Sequence, residues 1–298
     1  MATPRRKNRP RPKSPSHDLR SEILEQFRTL NVPLSEEQFD AAVARAEAEG
    51  LSHLEFLRAL ISDQAAARRQ RSIERRIKDA EFPGLGTLDA FNWQFNAGSI
   101  DRARIEDLAT GEFVRRGENL VMVGQSGVGK TRLIEGIGRR LCVHGYRVCY
   151  RTSAKLVRDL AKRRVDDSLP KWLRYYGRFD LLIIDEFGFD RLERSDIPQA
   201  SSLLYKVIEA RYPGRSTALV TNIDFEAWSD YLGDPPLAMA FLDRVVDGAI
   251  AMKIEGRSYR AHRARGLDQK PPADQKPPAE QEPSAHQEPS ADQKPPAE

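Results

Sequence analysis

The chain has 298 residues, 40% of them apolar, which is enough to build the core of one large domain or of two modest ones. Its 48 lysines and arginines and 44 acids leave a formal charge of only +4, so the total charge singles out no class of partner. The N-terminus is too polar for a secretory signal, and no apolar run has the length of a membrane span. We therefore expect a cytoplasmic protein with no membrane partner.

The two cysteines, Cys142 and Cys149, stand among apolar residues without the spacing of a metal site or a CxxC motif. Such cysteines are typical of small core residues in a reducing compartment. This agrees with the expected cytoplasmic location.

The basic residues are concentrated in two clusters in the first third of the chain. The first, Arg5 to Lys13, contains no acid, and the second, Arg68 to Lys78, contains one acid among six bases. Such clusters favour polyanions because each neutralised phosphate releases condensed counterions, although most basic runs are only solvated helix faces. We predict that the second cluster contacts nucleic-acid phosphates. The candidate DNA-binding residues are Arg68, Arg69, Arg71, Arg75, Arg76 and Lys78.

Changes in composition divide the chain into four predicted segments. Residues 1–17 are rich in proline and arginine and are predicted to be a disordered basic tail. Residues 18–80 are predicted to form a helical domain that contacts DNA or a partner, and residues 81–263 an α/β domain. Residues 264–298 contain five tandem hexapeptides such as "DQKPPA", which lack aromatic residues and cannot bury enough surface to fold.

Capping signals place two helices in the first domain. Ser35 with Gln38 and Ser52 with Glu55 fit the capping-box pattern, and each pair opens a helical run. The proline and glycines of "EFPGLG" (residues 81–86) end the second run. The predicted apolar side of this second helix consists of Leu54, Phe56, Leu57, Leu60 and Ile61.

Strand-like and helix-like runs alternate in the second domain, as a parallel sheet requires. The five predicted strands are 119–124, 147–152, 179–185, 217–222 and 248–254. The main predicted helices are 130–143, 154–164, 197–211 and 236–246. We therefore predict an α/β fold with a parallel five-stranded sheet flanked by helices and preceded by a small all-α domain.

Residues 124–131, "GQSGVGKT", satisfy the P-loop pattern G-x-x-x-x-G-K-[ST] between a predicted strand and a predicted helix. Glycines let successive backbone N–H groups converge on a phosphate, and the N-terminus of the following helix adds positive charge. We expect Lys130 to reach the β- and γ-phosphate oxygens and Thr131 to bind Mg²⁺. The predicted nucleotide-binding residues are Gly124, Gln125, Ser126, Gly127, Val128, Gly129, Lys130 and Thr131, together with Asp185.

Two acids follow the apolar run from Leu181 to Ile184, at the carboxyl end of a predicted strand, which is where α/β folds bind ligands. Asp185 is expected to hold Mg²⁺, directly or through water, and Glu186 to polarise the attacking water for in-line displacement. Two neighbouring acids could also simply end a strand at the surface. The P-loop upstream argues against that alternative, and a pair of acids in place of a lone Asp favours hydrolysis over a phosphate-binding switch.

Asn222 and Arg244 are two further candidates. Asn222 ends the strand-like run "TALVTN" and is placed to bond the γ-phosphate or the lytic water, although Thr-Asn at a strand end is often only turn chemistry. Arg244, near the end of a predicted helix, is by default a solvated arginine. The alternative is that Arg244 reaches the nucleotide of a neighbouring subunit and stabilises charge on the γ-phosphate.

Together these residues resemble the IstB-like transposition helper ATPases of insertion sequences, members of the AAA+ superfamily related to the DnaC-like helicase loaders. The resemblance extends over about residues 20–263. The P-loop and the Asp-Glu pair are common to many ATPases, whereas "RRIKDAEFP" and the ending from "LDR" to "SYR" are more specific. The other motifs that carry it are "LSHLEFLRAL", "LLIIDEFGF", "TNIDFEAW" and "GDPPLAMAFLDR".

The resemblance implies a P-loop AAA+ core without a C-terminal helical lid, for which the residues before the repeats also leave no room. It implies ATP as the nucleotide, and binding of duplex DNA without strict sequence preference. It further implies a homo-oligomer on that DNA and delivery of the target to a partner transposase. By position, residues 124–131 match Walker A, while Asp185 and Glu186 match Walker B. Asn222 matches sensor 1, and Arg244 matches the arginine finger acting in trans.

The predicted activity is therefore ATP hydrolysis that times assembly and release on DNA, with Lys130, Glu186, Asn222 and Arg244 as catalytic residues. Two other interpretations stay open: a replicative helicase loader of the same fold, and a DNA-binding adaptor that keeps ATP as a structural ligand. Glu186 argues against the adaptor, since a static site has no use for a second acid. A transposase is disfavoured, because no second sheet carrying a D…D…E triad can be placed.

Overall fold

A computed structural model describes residues 15–189, 197 and 199–266. At its centre lies a five-stranded sheet in the order β2-β3-β4-β1-β5, in which all neighbouring strands run parallel. The strands are β1 (Leu120–Val123), β2 (Val148–Thr152), β3 (Leu181–Phe187), β4 (Ser216–Thr221) and β5 (Ile250–Lys253). The predicted fold class and the order of the predicted strands along the chain are confirmed.

Helices precede the sheet in the chain and cover both of its faces. Before β1 they are α1 (Pro15–Thr29), α2 (Glu36–Glu49), α3 (His53–Ala80), α4 (Arg102–Thr110) and α5 (Glu112–Arg116). Between β1 and β3 they are α6 (Lys130–Val143), α7 (Ser153–Val165) and α8 (Leu169–Tyr176). After β3 the described residues form α9 (Ala200–Glu209), α10 (Trp228–Leu232), α11 (Pro235–Val245) and α12 (Tyr259–Ala264).

Strands β1 to β4 are mostly buried because both sheet faces are covered, whereas the edge strand β5 is partly exposed. Every residue of β1 and of β4 is buried, as expected for the continuous apolar runs of parallel sheets. Leu120 belongs to an apolar cluster shared with α4 and α6, whereas Val121 belongs to a second cluster shared with α7, α9 and α11. Cys142 and Cys149 are buried free thiols, as predicted, and burial raises the pKa of each to about 11.

The four main helices predicted in the α/β domain correspond to helices of the structure. The predicted helix 130–143 has the bounds of α6, and α7 and α11 begin one residue before their predicted starts. The helix predicted at 197–211 corresponds to α9, with residues 190–196 and 198 outside the described residues. Helices α4, α5, α8 and α10 were not among the predicted helices, and the five residues each of α5 and α10 are too few to show a period.

Both predicted capping boxes are present. The Ser35 hydroxyl accepts a hydrogen bond from Gln38 N, and the Gln38 side chain accepts one from Ser35 N. Ser52 and Glu55 form the same reciprocal pair at the start of α3. Helices α1 to α3 then share a small N-terminal cluster of buried side chains, Leu24, Leu34, Phe39 and Leu60.

The apolar side predicted for α3 is only partly buried. Leu60 is buried and Phe56 half-buried in the N-terminal cluster. Leu54, Leu57 and Ile61 are 79%, 48% and 52% exposed. The prediction was wrong for these three residues, because the short helices α1 and α2 cover only one narrow stripe of α3.

Helix α3 connects two packed regions. Its 28 residues make it about 42 Å long. Its first turns pack in the N-terminal cluster, and Ile77 and Ala80 in its last turns pack against the sheet cluster that contains α4 and α6. Residues 65–71 between them are all exposed, as is typical of a helix that bridges two parts through solvent. The domain boundary at residues 80/81 stays a prediction.

A carboxylate fixes the turn after α3 to the sheet. Glu81 has a positive φ of 58°, and its carboxylate accepts hydrogen bonds from Arg151 (2.7 Å) and Lys155 (2.9 Å). Burial opposes ionisation of Glu81, but the bonds and charges of Lys155 and Arg151 outweigh it and lower the pKa of Glu81. In addition, the N–H of Gly84 donates to the Glu135 carboxylate of α6 (3.2 Å). The turn is therefore bound to β2, α6 and α7.

The chain divides into two units, one ending at Tyr259 and one beginning at Arg260. Among the described residues, α12 is the only helix or strand after β5. Residues 1–14 and 267–298 lie outside the described residues, and with them most of the predicted basic tail and the hexapeptide repeats. Within the described ranges, no helix combines the length and the apolar character that crossing a membrane requires.

Arg211, two residues after α9, is a buried side chain that forms hydrogen bonds at the amino ends of β3 and β4. Its side chain is only 2% exposed, and Nε donates to Thr217 Oγ1 of β4 (3.1 Å). The guanidinium also donates to the carbonyls of Tyr176, Phe179 and Ser216. One buried side chain thereby satisfies several carbonyl groups that are shielded from solvent.

Replacing Arg211 by alanine is expected to lower the free energy of unfolding by about 3–5 kcal/mol, because it leaves a cavity and several unsatisfied buried carbonyls. The matched control is Arg215→Ala, which removes an arginine that is 41% exposed and paired with Asp180. That loss should cost less than about 1 kcal/mol. Urea denaturation followed by tryptophan fluorescence measures both changes, and equal losses would contradict the role of Arg211.

Candidate functional site

The P-loop joins β1 to α6 at the carboxyl edge of the sheet. The N–H of Gly124 donates to the carbonyl of Thr221, the last residue of β4 (3.2 Å). Gly127 and Gly129 have positive φ angles of 87° and 109°, a backbone region that residues with a Cβ disfavour. Because α6 begins at Lys130, the loop leads directly into a helix N-terminus, and this arrangement binds phosphate groups.

Lys130 is nearly buried and points back into the loop. Its Nζ donates to the carbonyls of Gly124 (2.6 Å) and Gln125 (2.9 Å). The positive charge is therefore held within the loop and not extended into solvent. Among the other predicted nucleotide-binding residues, those at the tip of the loop are exposed, Thr131 is half-buried in the first turn of α6, and Val128 is a buried anchor.

Asp185, near the end of β3, lies at the same edge as the P-loop. Strand β4 separates β3 from β1, so the two loops start about 10 Å apart. The Asp185 side chain is 2% exposed and is bonded at both oxygens. Tyr150 O–H donates to Oδ2 (2.7 Å), and the N–H of Glu186 donates to Oδ1 (2.7 Å).

A bulge in β3 gives the two acids different environments. Ile184 and Phe187 are three residues apart, but their partners on β4 are only two apart, so β3 contains one extra residue. Glu186 lies in this bulge with a positive φ of 59° and is exposed, although Asp185 and Phe187 on either side are buried. The bulge thus presents one acid to solvent directly beside a buried one.

The end of β4 lies between the P-loop and the acidic pair. Thr221 Oγ1 donates to the carbonyl of Phe187 (2.8 Å), and the next residue, Asn222, is exposed. The structure therefore brings four predicted site residues to one edge of the sheet. They are Lys130, Asp185, Glu186 and Asn222.

Two segments support the P-loop without carrying a motif for it. The side chain of Asn96 donates to the carbonyls of Val128 (3.5 Å) and Arg257 (3.1 Å) and accepts from Arg257 N (3.1 Å). The N–H of Tyr259 donates to the carbonyl of Gly127 (2.9 Å). No pattern singles out Asn96, because a polar residue in an aperiodic stretch has many possible roles. Only the ending from "LDR" to "SYR", given above for the family resemblance, marked the second segment.

Arg244 does not lie with these residues. Its carbonyl accepts a hydrogen bond from the side chain of Asn119 (3.0 Å). Because Asn119 directly precedes β1, Arg244 lies at the amino edge of the sheet. Its guanidinium lies over the ring of Tyr212, 4.6 Å from the centroid, and its Nε is buried with no hydrogen-bond partner among the residues that the structure describes. The cleft around it has a volume of about 240 Å³ and is lined in part by Arg116, Glu118, Arg215 and Asp247.

The predicted DNA-binding residues lie on the second half of α3. Arg76 is half-buried and donates to the carbonyl of Cys142 (3.4 Å), so it helps to hold α3 against α6. The other five predicted bases are exposed. Helical spacing places four of them on one face of α3: Arg68, Arg71, Arg75 and Lys78.

The chain matches the family model described as IstB-like ATP binding protein over residues 26–266. A Geobacillus stearothermophilus protein named for ATP binding in insertion sequence IS5376 is 32% identical, covering 85% of this chain and 98% of that protein. A Pseudomonas aeruginosa protein named for ATP binding in insertion sequence IS21 is 32% identical, covering 76% and 83%. The solved structure of AMPPCP-bound DnaA from Aquifex aeolicus is 16% identical, with a TM-score of 0.49, covering 63% and 55%.

The resemblance inferred from the sequence motifs is thereby confirmed. The match includes the N-terminal helices as well as the P-loop region, so it is not limited to motifs that many ATPases share. The chain belongs to the IstB-like ATP binding protein family.

Proposed function

We propose that this protein is an ATP-dependent, DNA-binding helper of transposition. It assembles as an oligomer on duplex DNA without sequence specificity and recruits or activates a partner transposase in the cytoplasm. ATP hydrolysis times its release from DNA. The observation that carries this proposal is the meeting of Lys130, Asp185 and Glu186 at one sheet edge, in a chain that also exposes a basic helix face.

The donor set of the site fits ATP with Mg²⁺. The P-loop N–H groups and Lys130 would hold the phosphates. The Thr131 hydroxyl and the Asp185 carboxylate are oxygen ligands of the kind Mg²⁺ prefers, and each Asp185 oxygen accepts one hydrogen bond and keeps lone-pair capacity. When bound, the ion supplies positive charge that neutralises phosphate oxygens.

Glu186 and Asn222 would act on the attacking water. Glu186 is exposed while its neighbour Asp185 is buried, so Glu186 can approach a water molecule that Asp185 cannot reach. Its carboxylate would accept a proton from that water as a general base. Asn222 follows β4 at the same edge, and its amide would hydrogen-bond the water or the γ-phosphate.

Arg244 would complete the site of a neighbouring subunit. It stands at the amino edge of the sheet and the P-loop at the carboxyl edge, so a head-to-tail assembly would bring one subunit's Arg244 to the next subunit's ATP. There its charge would stabilise the negative charge that develops on the γ-phosphate. Stacking on Tyr212 supports this role, because it orders the guanidinium before assembly.

The exposed bases of α3 would bind the DNA backbone. Phosphate contacts need positive charge and no base readout, which agrees with binding that ignores sequence. The relatives named for ATP binding in insertion sequences support a transposase as the partner, rather than a replicative helicase. A helicase loader and a non-hydrolysing adaptor are the alternatives that the following experiments separate.

Glu186→Gln is expected to lower the steady-state rate of ATP hydrolysis by about 10²–10⁴-fold while ATP binding remains, because it removes the general base and keeps the phosphate contacts. Duplex DNA should raise the wild-type rate. Glu226→Gln, an exposed acid in the turn after β4, is the control and should keep the wild-type rate. Phosphate release measures all three proteins. If the wild-type protein hydrolyses no ATP, either alone or with DNA, the result would favour the non-hydrolysing adaptor.

Arg244→Ala alone should also lose hydrolysis, but mixing it with Glu186→Gln should restore activity. In a mixed oligomer, an intact P-loop and Glu186 from one variant can meet an intact Arg244 from the other. Random mixing of equal amounts restores about a quarter of the interfaces, if each site lies between two subunits. Arg215→Ala, in the same cleft, should hydrolyse ATP without mixing. No recovery in the mixture would count against action in trans.

Removing the basic face of α3 should weaken DNA binding and its dependence on salt. The triple change of Arg68, Arg71 and Arg75 to alanine should reduce affinity about tenfold or more and lower the salt slope by up to about 3. The control removes Arg28, Arg45 and Arg58, exposed bases of equal charge in the same region. Fluorescence anisotropy with labelled duplex DNA measures both.

ATP should be needed for this binding. Lys130→Ala removes the P-loop charge and should abolish the increase in DNA affinity that ATP produces. If ATP-dependent DNA binding survives in Lys130→Ala, or if the control triple variant loses as much affinity as the α3 variant, the proposed mode of binding is wrong.

A further inference from the structure

Tyr150 is a buried tyrosine whose hydroxyl group is bonded to an acid of the nucleotide site. It lies on β2 and is 5% exposed, and its O–H donates to Asp185 Oδ2 at 2.7 Å. Its ring lies near Phe82 in the turn after α3, with the ring centroids 6.3 Å apart. The hydroxyl bond joins neighbouring strands β2 and β3 at the edge of the sheet that carries the P-loop.

The bond from Tyr150 restricts how the Asp185 carboxylate can turn. The backbone N–H of Glu186 holds Oδ1, and the Tyr150 hydroxyl holds Oδ2. An ionised carboxylate has about four lone-pair positions, so about two stay available after these bonds. With one bond on each oxygen the carboxylate cannot rotate without breaking a contact. The directions of the available lone pairs are therefore fixed.

Packing alone does not account for the hydroxyl group of Tyr150. A phenylalanine ring would fill the same space against Phe82 and the apolar cluster around β2. Burying a hydroxyl costs free energy unless a hydrogen bond compensates, and its bond here goes to the acid of the nucleotide site.

We propose that Tyr150 is a positioning residue for the metal–nucleotide site. Its hydroxyl holds the Asp185 carboxylate in the orientation in which the available lone pairs take a divalent cation. Tyr150 itself touches neither the nucleotide nor the metal. This inference rests on the proposed binding of ATP with Mg²⁺. Residues that orient metal ligands typically change metal affinity 10–100-fold when they are lost.

The test is Tyr150→Phe in the full-length chain, with binding of a fluorescent ATP analogue followed as the Mg²⁺ concentration is raised. The Mg²⁺ concentration at half-maximal binding should increase about tenfold, because Asp185 loses the bond that fixes it. Circular dichroism and thermal melting report folding independently. A merely structural role of Tyr150 would lower the melting temperature and leave the Mg²⁺ midpoint unchanged, and that result would overturn the proposal.

Two further variants separate the possible outcomes. Tyr146→Phe removes a hydroxyl that donates to Gly111 O (3.1 Å), far from the acids, and should keep the wild-type Mg²⁺ midpoint. Asp185→Asn should lose most of the Mg²⁺ dependence. If Asp185→Asn does so and Tyr150→Phe behaves as the wild type, the inference about Tyr150 fails and the proposed function stands. If the wild type itself binds no ATP analogue at any Mg²⁺ concentration, the proposed function fails as well.

Discussion

Thr221 joins both halves of the candidate site to a single strand end. Its carbonyl accepts from the N–H of Gly124, where the P-loop begins, and its hydroxyl donates to the carbonyl of Phe187, directly after the acidic pair. The residue is 1% exposed, so both bonds are protected from competing water. The arrangement depends on β4 lying between β1 and β3. If β1 and β3 were adjacent, or separated by more than one strand, the phosphate-binding loop and the acids would lie at a different separation.

The different exposure of Asp185 and Glu186 results from a local irregularity in β3. A residue other than glycine with a positive φ, such as Glu186, costs on the order of 1–3 kcal/mol and persists only where the surroundings impose it. Here the surroundings are a fully buried strand and the Thr221 bond beyond the bulge. The sheet thereby holds Glu186 at the surface, while Asp185 stays buried with one hydrogen bond on each carboxylate oxygen.

Much of the fold follows from patterns within short segments. The apolar runs of the five strands, the glycine spacing of the P-loop and the two capping boxes are local features, and each appears in the structure where the sequence predicts it. The acids at the end of β3 and Asn222 were equally predictable, because strand ends meet at one edge of a parallel sheet. Arg244 was singled out from its place near the end of a predicted helix and from the family pattern, and it lies at the opposite edge of the sheet.

The features that escaped prediction depend on partners distant in the chain. The bulge at Glu186 results from pairing between β3 and β4, and the role of Asn96 from contacts about 160 residues away. The bond from Tyr150 to Asp185 requires the neighbouring position of β2 and β3. Leu57 has the spacing of a core residue but is exposed, because burial also requires an element to cover it.

The anchoring of α3 by Glu81 makes that helix a lever arm. The anchor lies at Lys155 and at Arg151, which directly follows Tyr150 on β2, and the whole helix extends about 42 Å from it. A tilt of about 5° at the anchor would displace the far end of the helix by about 4 Å. The bases from Arg68 to Lys78 lie near the anchor and would move less than half as far.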